Sequence, residues 1–224
     1  MPSGPSTNPK LRGMSAHETR MLLLGAVALF EPVNGYQIRR ELLSWQVDRW
    51  AHTNPGSIYH GLTSLTGLGH LVRHDLVDGG REVAVYELTG SGRAELERLM
   101  VEALETVNPY ERSAFTVAFS MLPLLDRDRV LRSLTRRRVD LEQTVAELAA
   151  ANPGVAPPHA TRSMLLWLDL AVAELAWLRE TIEDIRAGKL PFEMDDDWGW
   201  TPPADDPGWQ MSTDREKYRA LLGR

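Results

Sequence analysis

The stretch Asn54-Pro55-Gly56-Ser57-Ile58-Tyr59 decides the fold of this chain, because it opens a helix that should end near Gly67 or Gly69. Asn is a good N-cap and Pro suits the first helical position, so the stretch predicts a helix start. Another helix start lies upstream at Asn34-Gly35, and a short hairpin lies downstream. Two helix starts and a hairpin in one small domain are typical of a winged helix-turn-helix, which binds nucleic acid.

Apolar periodicity and turn residues predict the remaining elements of this domain. The elements expected, in chain order, are helices over 16–30, 36–45 and from 55, strands over 70–73 and 83–88 with a turn at 78–80, and a helix over 92–107 capped by Thr89. In the third helix, Ile58, Leu62, Leu65 and Leu68 form the expected core stripe. In the second helix, Arg39, Arg40 and Glu41 are expected on the outer side.

The second half of the chain predicts further helices: an apolar one over 114–125 and two long ones over 128–151 and 161–187. The first long helix has a seam of Leu131, Leu134, Arg138, Leu141, Val145 and Leu148. The second has a seam of Leu168, Ala171, Leu175, Leu178, Ile182 and Ile185. Seams spaced by three and four residues predict an antiparallel hairpin, whose open apolar side should pack on a second subunit.

The expected fold is therefore mainly α, with an N-terminal winged helix-turn-helix domain and a C-terminal α-helical dimerisation domain. The expected boundaries are a disordered N-terminus over 1–13, the winged domain over 14–108, the helical domain over 109–187 and an acidic Trp-rich tail over 188–224. The tail contains Asp195-Asp196-Asp197 and reads as a partly flexible segment. A sharper hypothesis is that it folds over the DNA-binding face and competes with DNA electrostatically.

Charge and composition restrict the function. The chain carries a net charge of −6, but residues 10–100 hold equal numbers of basic and acidic residues, so the acidic excess lies elsewhere. A neutral domain still binds DNA if its cations share one face, with strong salt dependence. The absence of cysteine excludes disulfides and thiolate metal sites.

Enzymatic and metal chemistry find no support in the sequence. No phosphate-binding Gly loop or nucleophile elbow is present, so we expect no catalytic residues, no cofactor and no enzyme. His70 and His74 are four apart on an expected strand, a spacing that gives no chelate by itself, so no metal site is expected. The apolar run Met21–Phe30 is shorter than the ~20 residues that span a bilayer. We interpret it as a buried helix of a cytoplasmic protein without a membrane partner.

Three motifs in the winged half resemble the PadR family of bacterial transcription regulators. Gly35-Tyr36-Gln37-Ile38 resembles the motif that opens the family's second helix, and Pro55-Gly56-Ser57-Ile58-Tyr59 resembles the one that opens its recognition helix. Tyr86-Glu87-Leu88-Thr89-Gly90-Ser91-Gly92 resembles the segment that follows its wing. The helical half is similar to the dimerisation domain of longer, virulence-activator-like members. The resemblance implies a DNA-binding homodimer.

The candidate DNA contacts lie on the second helix, the recognition helix and the hairpin. They are Arg39, Arg40, Asn54, Ser57, Tyr59, His60, Thr63, Ser64, Arg73 and Arg81. Side chains early in a recognition helix reach base edges, whereas hairpin arginines contact phosphates or the minor groove. Two alternatives stay open: Tyr59 packs against the wing, and Arg39 and Arg40 pair with Glu41.

The resemblance also implies a small aromatic effector, because aromatic side chains at the dimer interface or domain junction of the family bind flat phenolic or drug-like compounds. The expected effector-binding residues are Trp45, Trp50, Phe115, Met164 and Trp167. In the simpler interpretation, Trp167 and Trp177 are core or interface residues.

The function expected from these observations is a repressor that binds an inverted repeat in double-stranded DNA as a homodimer and is released by the effector. The alternatives are a winged-helix protein–protein adaptor, favoured by a recognition helix without Lys or Arg, and a transcription activator without a small-molecule effector.

Overall fold

The computed structural model describes residues 16–50, 55–151, 156–190 and 203–224. The winged half contains α1 (Ala16–Phe30), β1 (Val33–Asn34), α2 (Gly35–Ser44), α3 (Val47–Trp50), α4 (Pro55–Gly67), β2 (Leu71–Asp78), β3 (Arg81–Leu88) and α5 (Gly90–Glu105). The rest contains α6 (Ser113–Phe119), a short 3-10 helix (Leu122–Leu124), α7 (Arg127–Ala150), α8 (Pro158–Arg186) and α9 (Pro207–Leu221). The expected mainly α fold with a winged helix-turn-helix is confirmed.

The wing is a longer hairpin than the sequence predicts. Strands β2 and β3 pair antiparallel from Leu71 opposite Leu88 to Asp78 opposite Arg81. They turn at Gly79-Gly80, where both residues have positive φ, as a two-residue hairpin with the twist of its strands requires. The outer half of β2 is largely exposed, so apolar alternation marked only its buried start. The two-residue strand β1, which the sequence did not predict, pairs with the other edge of β3.

Helix α2 starts with a reciprocal cap. The Asn34 side chain accepts a hydrogen bond from the Gln37 backbone N–H, and the Gln37 side chain accepts one from that of Asn34. Two orphan donors are thereby satisfied, so the helix begins at Gly35. The expectation that Glu41 faces outward is wrong: it is buried, and its Oε1 accepts a hydrogen bond from Trp45 Nε1 at 3.0 Å.

Helix α1 forms the centre of the winged core. Residues Leu22 to Leu24 are buried on every side, as expected of an apolar run enclosed by other helices. At Gly61, a Cβ atom would come within 2.3 Å of Leu23 Cδ1, so α4 approaches α1 closely at this point. The expected core position of Leu68 is wrong, since it lies beyond the end of α4 and is 54% exposed.

The helical half contains the expected hairpin of α7 and α8. The apolar seam of α8 is confirmed from Ala171 to Ile185. In the expected seam of α7, Leu134 and Leu141 are buried, and Leu131, Val145 and Leu148 are partly buried against the core, while Val130, Ser133 and Arg137 are buried in addition. Arg137, not Arg138, faces the core, where Glu174 of α8 neutralises it. The expected helix over 114–125 divides into α6 and the 3-10 helix.

The C-terminal region contains a helix that the sequence analysis did not predict. Helix α9 lies against α2, β1 and α1, and its Met211 and Tyr218 are buried. Residues 191–202, which include the Asp195–Asp197 run, lie outside the described residues, as do 1–15. In the described part of the chain, no helix is long and apolar enough to cross a membrane.

Candidate nucleic-acid interface

Helix α4 has a buried face and a polar face. Ile58, Leu62 and Leu65 enter the core. The opposite side carries half-buried Ser57 and the exposed residues Tyr59, His60, Thr63 and Ser64. The Thr63 hydroxyl donates to the Tyr59 carbonyl oxygen at 3.0 Å, so its free lone pairs can still accept a hydrogen bond. An α-helix with short polar side chains fits the width of a DNA major groove.

Tyr59 packs against the start of α2. A Cβ on Gly35 would lie 3.0 Å from Tyr59 Cε1, so only the small residue leaves space for the ring. The ring is nevertheless 47% exposed, and neighbouring Tyr36 is 59% exposed. Tyr36 was not among the residues expected at the site. The signal that could have identified it is an aromatic residue on the first turn of α2, next to a glycine that receives another aromatic ring.

The arginines of α2 contribute less exposed charge than expected. Arg39 and Arg40 are half-buried. Glu41 follows them, and its pKa is raised, first by burial and second by the nearby carboxylate of Asp206, while Arg40 opposes this effect. Asn54 lies outside the described residues. Arg39 and Arg40 therefore remain predicted phosphate contacts.

The wing presents two cations. Arg73 on β2 is exposed and donates from Nε and Nη2 to Asp75 Oδ1 at 2.9 and 2.7 Å, which raises the pKa of Arg73. Arg81 is exposed at the first position of β3, next to the turn. Because Arg73 is paired with a carboxylate in this conformation, Arg81 is the cation nearer the tip that is better placed to reach a phosphate.

The two wing histidines make separate contacts. His70 Nδ1 lies 3.1 Å from Ser91 Oγ, and His74 Nε2 lies 2.8 Å from Glu87 Oε2. Within residues 16–50, 55–151, 156–190 and 203–224, no group of three or more His, Cys, Asp or Glu side chains is arranged to hold a metal ion.

The five residues expected to bind an effector lie in different places. Trp50 Nε1 donates to the Trp45 carbonyl oxygen at 2.8 Å, so these two are neighbours at the end of α2. On α8, Trp167 packs edge-on against Tyr110, with ring centroids 4.8 Å apart. Half-buried Met164 lies one turn before Trp167 on the same helix. Phe115 is buried in α6.

Phe115 lines a cavity of about 190 Å³ between the winged half and the helical half. The cavity lies between α1, α5, α6 and α7, and the other four expected residues are not part of its lining. Its polar groups include Glu18, Glu102, Glu111 and Arg137. Arg137 is committed to Glu174, and Glu18 accepts a hydrogen bond from Ser113 Oγ at 2.6 Å. The lining thus combines an aromatic ring with carboxylates.

Comparison with known proteins assigns the winged half. Residues 23–98 match the model of the Transcriptional regulator PadR-like family, which is not an enzyme family. This segment includes all three sequence motifs, the elements from β1 to β3, the second half of α1 and the first half of α5. No curated protein matches the chain.

Several solved structures share low similarity with the chain. Bacillus subtilis PadR in complex with operator DNA is 18% identical, with 74% of this chain and 98% of that chain covered and a TM-score of 0.35. The PadR-like transcriptional regulator BC1756 from Bacillus cereus is 18% identical, with 81% and 99% covered and a TM-score of 0.35. Bacillus subtilis PadR in complex with p-coumaric acid is 18% identical, with 75% and 97% covered and a TM-score of 0.32. The likeness to the PadR-like family therefore rests on the match over residues 23–98 alone.

Proposed function

We propose that the chain is a homodimeric repressor of transcription of the PadR-like kind, whose family model its residues 23–98 match. It binds an inverted repeat in double-stranded DNA and is released by a small aromatic effector. The observation that carries the DNA-binding part is the polar outer face of α4, a helix whose other face is fixed against α1.

In this proposal, the recognition helix α4 contacts the bases, and residues of α2 and of the wing contact the phosphates. Tyr59, His60 and Thr63 project from successive positions of the polar face, where hydrogen bonds to base edges discriminate sequence. Tyr36 at the start of α2 and Arg81 at the wing tip flank this face and contact the backbone. Ser57, Ser64, Arg39, Arg40, Asn54 and Arg73 complete the proposed interface.

A second apolar stripe on α8 supports the homodimer. Residues Leu166, Leu170, Ala173 and Trp177 are exposed and recur at spacings of four, three and four. They occupy a different side of α8 from the residues that pack on α7. A repeat with this spacing matches a helix of a second copy in coiled-coil-like packing. The resulting twofold symmetry suits the two half-sites of an inverted repeat.

The cavity at Phe115 supports a one-ring effector. Its volume of about 190 Å³ exceeds the roughly 150 Å³ cavity that accommodates benzene, so one ring with a small substituent fits. Three carboxylates line it, of which Glu102 pairs with Arg98, and its guanidinium is already neutralised by Glu174. A neutral phenol or a protonated arylalkylamine therefore suits it better than an aromatic carboxylate. An effector here changes the angle between the winged domain and the dimerisation helices, and hence the fit of the dimer to two half-sites.

Substitutions on the two parts of the interface test this function. On a duplex from the region upstream of the chain's own gene, His60→Ala should reduce binding to specific DNA while leaving binding to unrelated DNA nearly unchanged. Arg81→Ala should weaken both alike and reduce the slope of log affinity against log salt by about one. Arg186→Ala, an exposed arginine of the helical half, is the control. If His60→Ala and Arg81→Ala both bind like the wild type, this face does not bind DNA.

The adaptor alternative retains one supporting observation, namely that the described outer face of α4 carries no Lys or Arg. An adaptor would bind the upstream duplex no better than unrelated DNA at any salt concentration. The same titration therefore separates the two functions.

A further inference from the structure

Helix α9 is held against the element that opens the helix-turn-helix. Asn34 Nδ2 donates to the Tyr218 hydroxyl at 2.8 Å, and Gln37 Nε2 donates to Asp214 Oδ2 at 2.8 Å. Asn34 and Gln37 are the two residues of the reciprocal cap at the start of α2. Each cap side chain therefore uses its oxygen within the cap and its amide nitrogen on α9, which orients both amides.

Helix α9 also caps the C-terminal end of α1. The Arg215 guanidinium donates to the carbonyl oxygens of Leu29 and Phe30, which are among the last carbonyls of α1. A cation at this end of a helix interacts favourably with the unpaired carbonyls and the helix dipole. Partial burial lowers the pKa of Arg215, in keeping with a side chain that has left water to make these bonds. Met211 and Tyr218 lie seven residues apart on one face of α9, and both are buried.

Two further cations of the C-terminal segment reach the wing. Lys217 Nζ lies 2.6 Å from Asp78 Oδ2 at the tip, and Arg224 Nη1 lies 2.8 Å from Glu87 Oε1 on β3. The hydrogen bonds that Lys217 donates to Asp78 and, second, to Asp214 raise the pKa of Lys217, so it stays charged. The hairpin itself has two arginines against four carboxylates. Such an excess of negative charge repels DNA phosphates, and the two C-terminal cations offset it.

We propose that α9 is part of the DNA-binding unit. It braces the start of α2 and neutralises the wing, so that the wing can approach DNA phosphates. This proposal rests on the proposed function. It predicts that the C-terminal segment strengthens DNA binding, whereas the sequence-based hypothesis of a tail that competes with DNA predicts that it weakens binding. The described helix 207–221 carries Arg215, Lys217 and Arg219 against Asp214 and Glu216, so it is weakly basic and not acidic.

The electrostatic part is tested with charge-matched variants of the full chain. Lys217→Gln with Arg224→Gln removes both wing contacts, whereas Arg219→Gln with Arg186→Gln removes the same charge at exposed positions that pair locally with Glu216 and Glu183. Binding to the upstream duplex is measured by fluorescence anisotropy at two salt concentrations. The first double variant should bind roughly five- to tenfold more weakly at the lower salt, with a much smaller loss in the second. Equal losses, or tighter binding of the first variant, would overturn the proposal.

The brace is tested without DNA. Tyr218→Phe keeps the buried ring but removes the hydroxyl that accepts from Asn34. Amide hydrogen exchange at Gln37, whose N–H is bonded to Asn34 Oδ1, should become at least several-fold faster, while exchange at buried Leu23 stays the same. Unchanged exchange at Gln37 overturns the brace whether or not the protein binds DNA. If the wild-type protein does not bind the duplex, that result contradicts both the proposed function and the electrostatic part. In that case, faster exchange at Gln37 in Tyr218→Phe still supports the brace.

Discussion

Arg137 Nη2 lies 2.6 Å from Glu174 Oε1, and the Arg137 side chain is only 1% exposed. The same guanidinium donates to the carbonyl oxygen of Thr106, just after α5, and its Cζ lies 4.0 Å from the centre of the Phe115 ring. Glu174 also accepts from Arg112 Nε at 2.7 Å. One buried ion pair thus joins the last helix of the winged half to α6, α7 and α8. It also forms a wall of the Phe115 cavity.

This ion pair should be asymmetric in its effect on stability. Glu174→Leu leaves the Arg137 guanidinium buried without its carboxylate, so we expect a loss of about 3–5 kcal/mol in the free energy of unfolding. Arg137→Met should cost less, because Glu174 keeps its contact with Arg112. Urea denaturation of both variants and of the double variant measures the coupling. Arg138→Met is the control, since the surface pair of Arg138 with Glu142 contributes at most ~1 kcal/mol. A similar cost at 137 and 138 would show that burial of the pair is unimportant.

Glu41 should make stability depend on acid pH. Its folded-state pKa is raised from the ordinary value of 4.5 by burial and by Asp206, so the fold favours the protonated form. This contribution is fully present below pH 4.5 and is lost as the pH rises through the folded pKa. Glu41→Gln retains the acceptor for Trp45 Nε1 and should be more stable than wild type at neutral pH, with a difference that shrinks on acidification. Thermal unfolding from pH 4 to 8 tests this, with exposed Glu183→Gln as control; a constant difference across that range would exclude the proposed cause.

The apolar stripe on α8 should hold the dimer together. Leu166 is 56% exposed, and Leu166→Glu with Leu170→Glu places two charges on the first two residues of the stripe. We expect the variant to sediment as a monomer in analytical ultracentrifugation at concentrations where the wild type is a dimer, because unpaired charges in an apolar interface are costly. Leu190→Glu makes the same chemical change at an exposed leucine beyond α8 and should leave the dimer intact. A dimeric Leu166/Leu170 variant would move the interface elsewhere.

The cavity should prefer an arylalkylamine, which is protonated at neutral pH, to an arylalkyl carboxylate. Trp177 packs edge-on against Phe115, with ring centroids 6.0 Å apart, so its fluorescence reports on this site. Titration with phenethylamine should give a saturable change, and phenylacetate should give little, because the carboxylates of the lining repel it. Ala103→Leu fills the cavity and should abolish the change, whereas Ala94→Leu on the exposed side of α5 should not. A response to neither compound, or equal responses to both, contradicts the proposed effector chemistry.

The sequence predicted best those elements whose determinants are local. Each of these determinants involves only a few neighbouring residues, and each helix or strand that it marks is present. They are the helix starts at Asn34 and Pro55, the turn at Gly79-Gly80 and the cap at Thr89. The family match over residues 23–98 agrees with the resemblance to the PadR family that the three motifs indicated. The bounds of the hairpin were too short, because the exposed part of a wing has no apolar alternation.

The errors concern side chains whose position depends on distant partners. The sequence placed Glu41 on the outer side of α2 and Arg138 instead of Arg137 in the seam of α7. Trp45 and Glu174 nevertheless stabilise Glu41 and Arg137 in the core. The C-terminal region looked acidic as a whole, and nothing local shows that Tyr218 meets Asn34, 184 positions earlier. The DNA-binding and effector residues remain predictions, since they depend on molecules that the sequence does not contain.

Operator binding by a dimer is tested most directly by a mobility-shift titration of the full chain on the duplex upstream of its own gene. The titration includes nonspecific competitor and is done at low and moderate salt. We predict a discrete complex of two chains per duplex that survives competitor and weakens steeply as salt rises. Absence of a competitor-resistant complex at both salt concentrations would contradict operator binding and favour the adaptor.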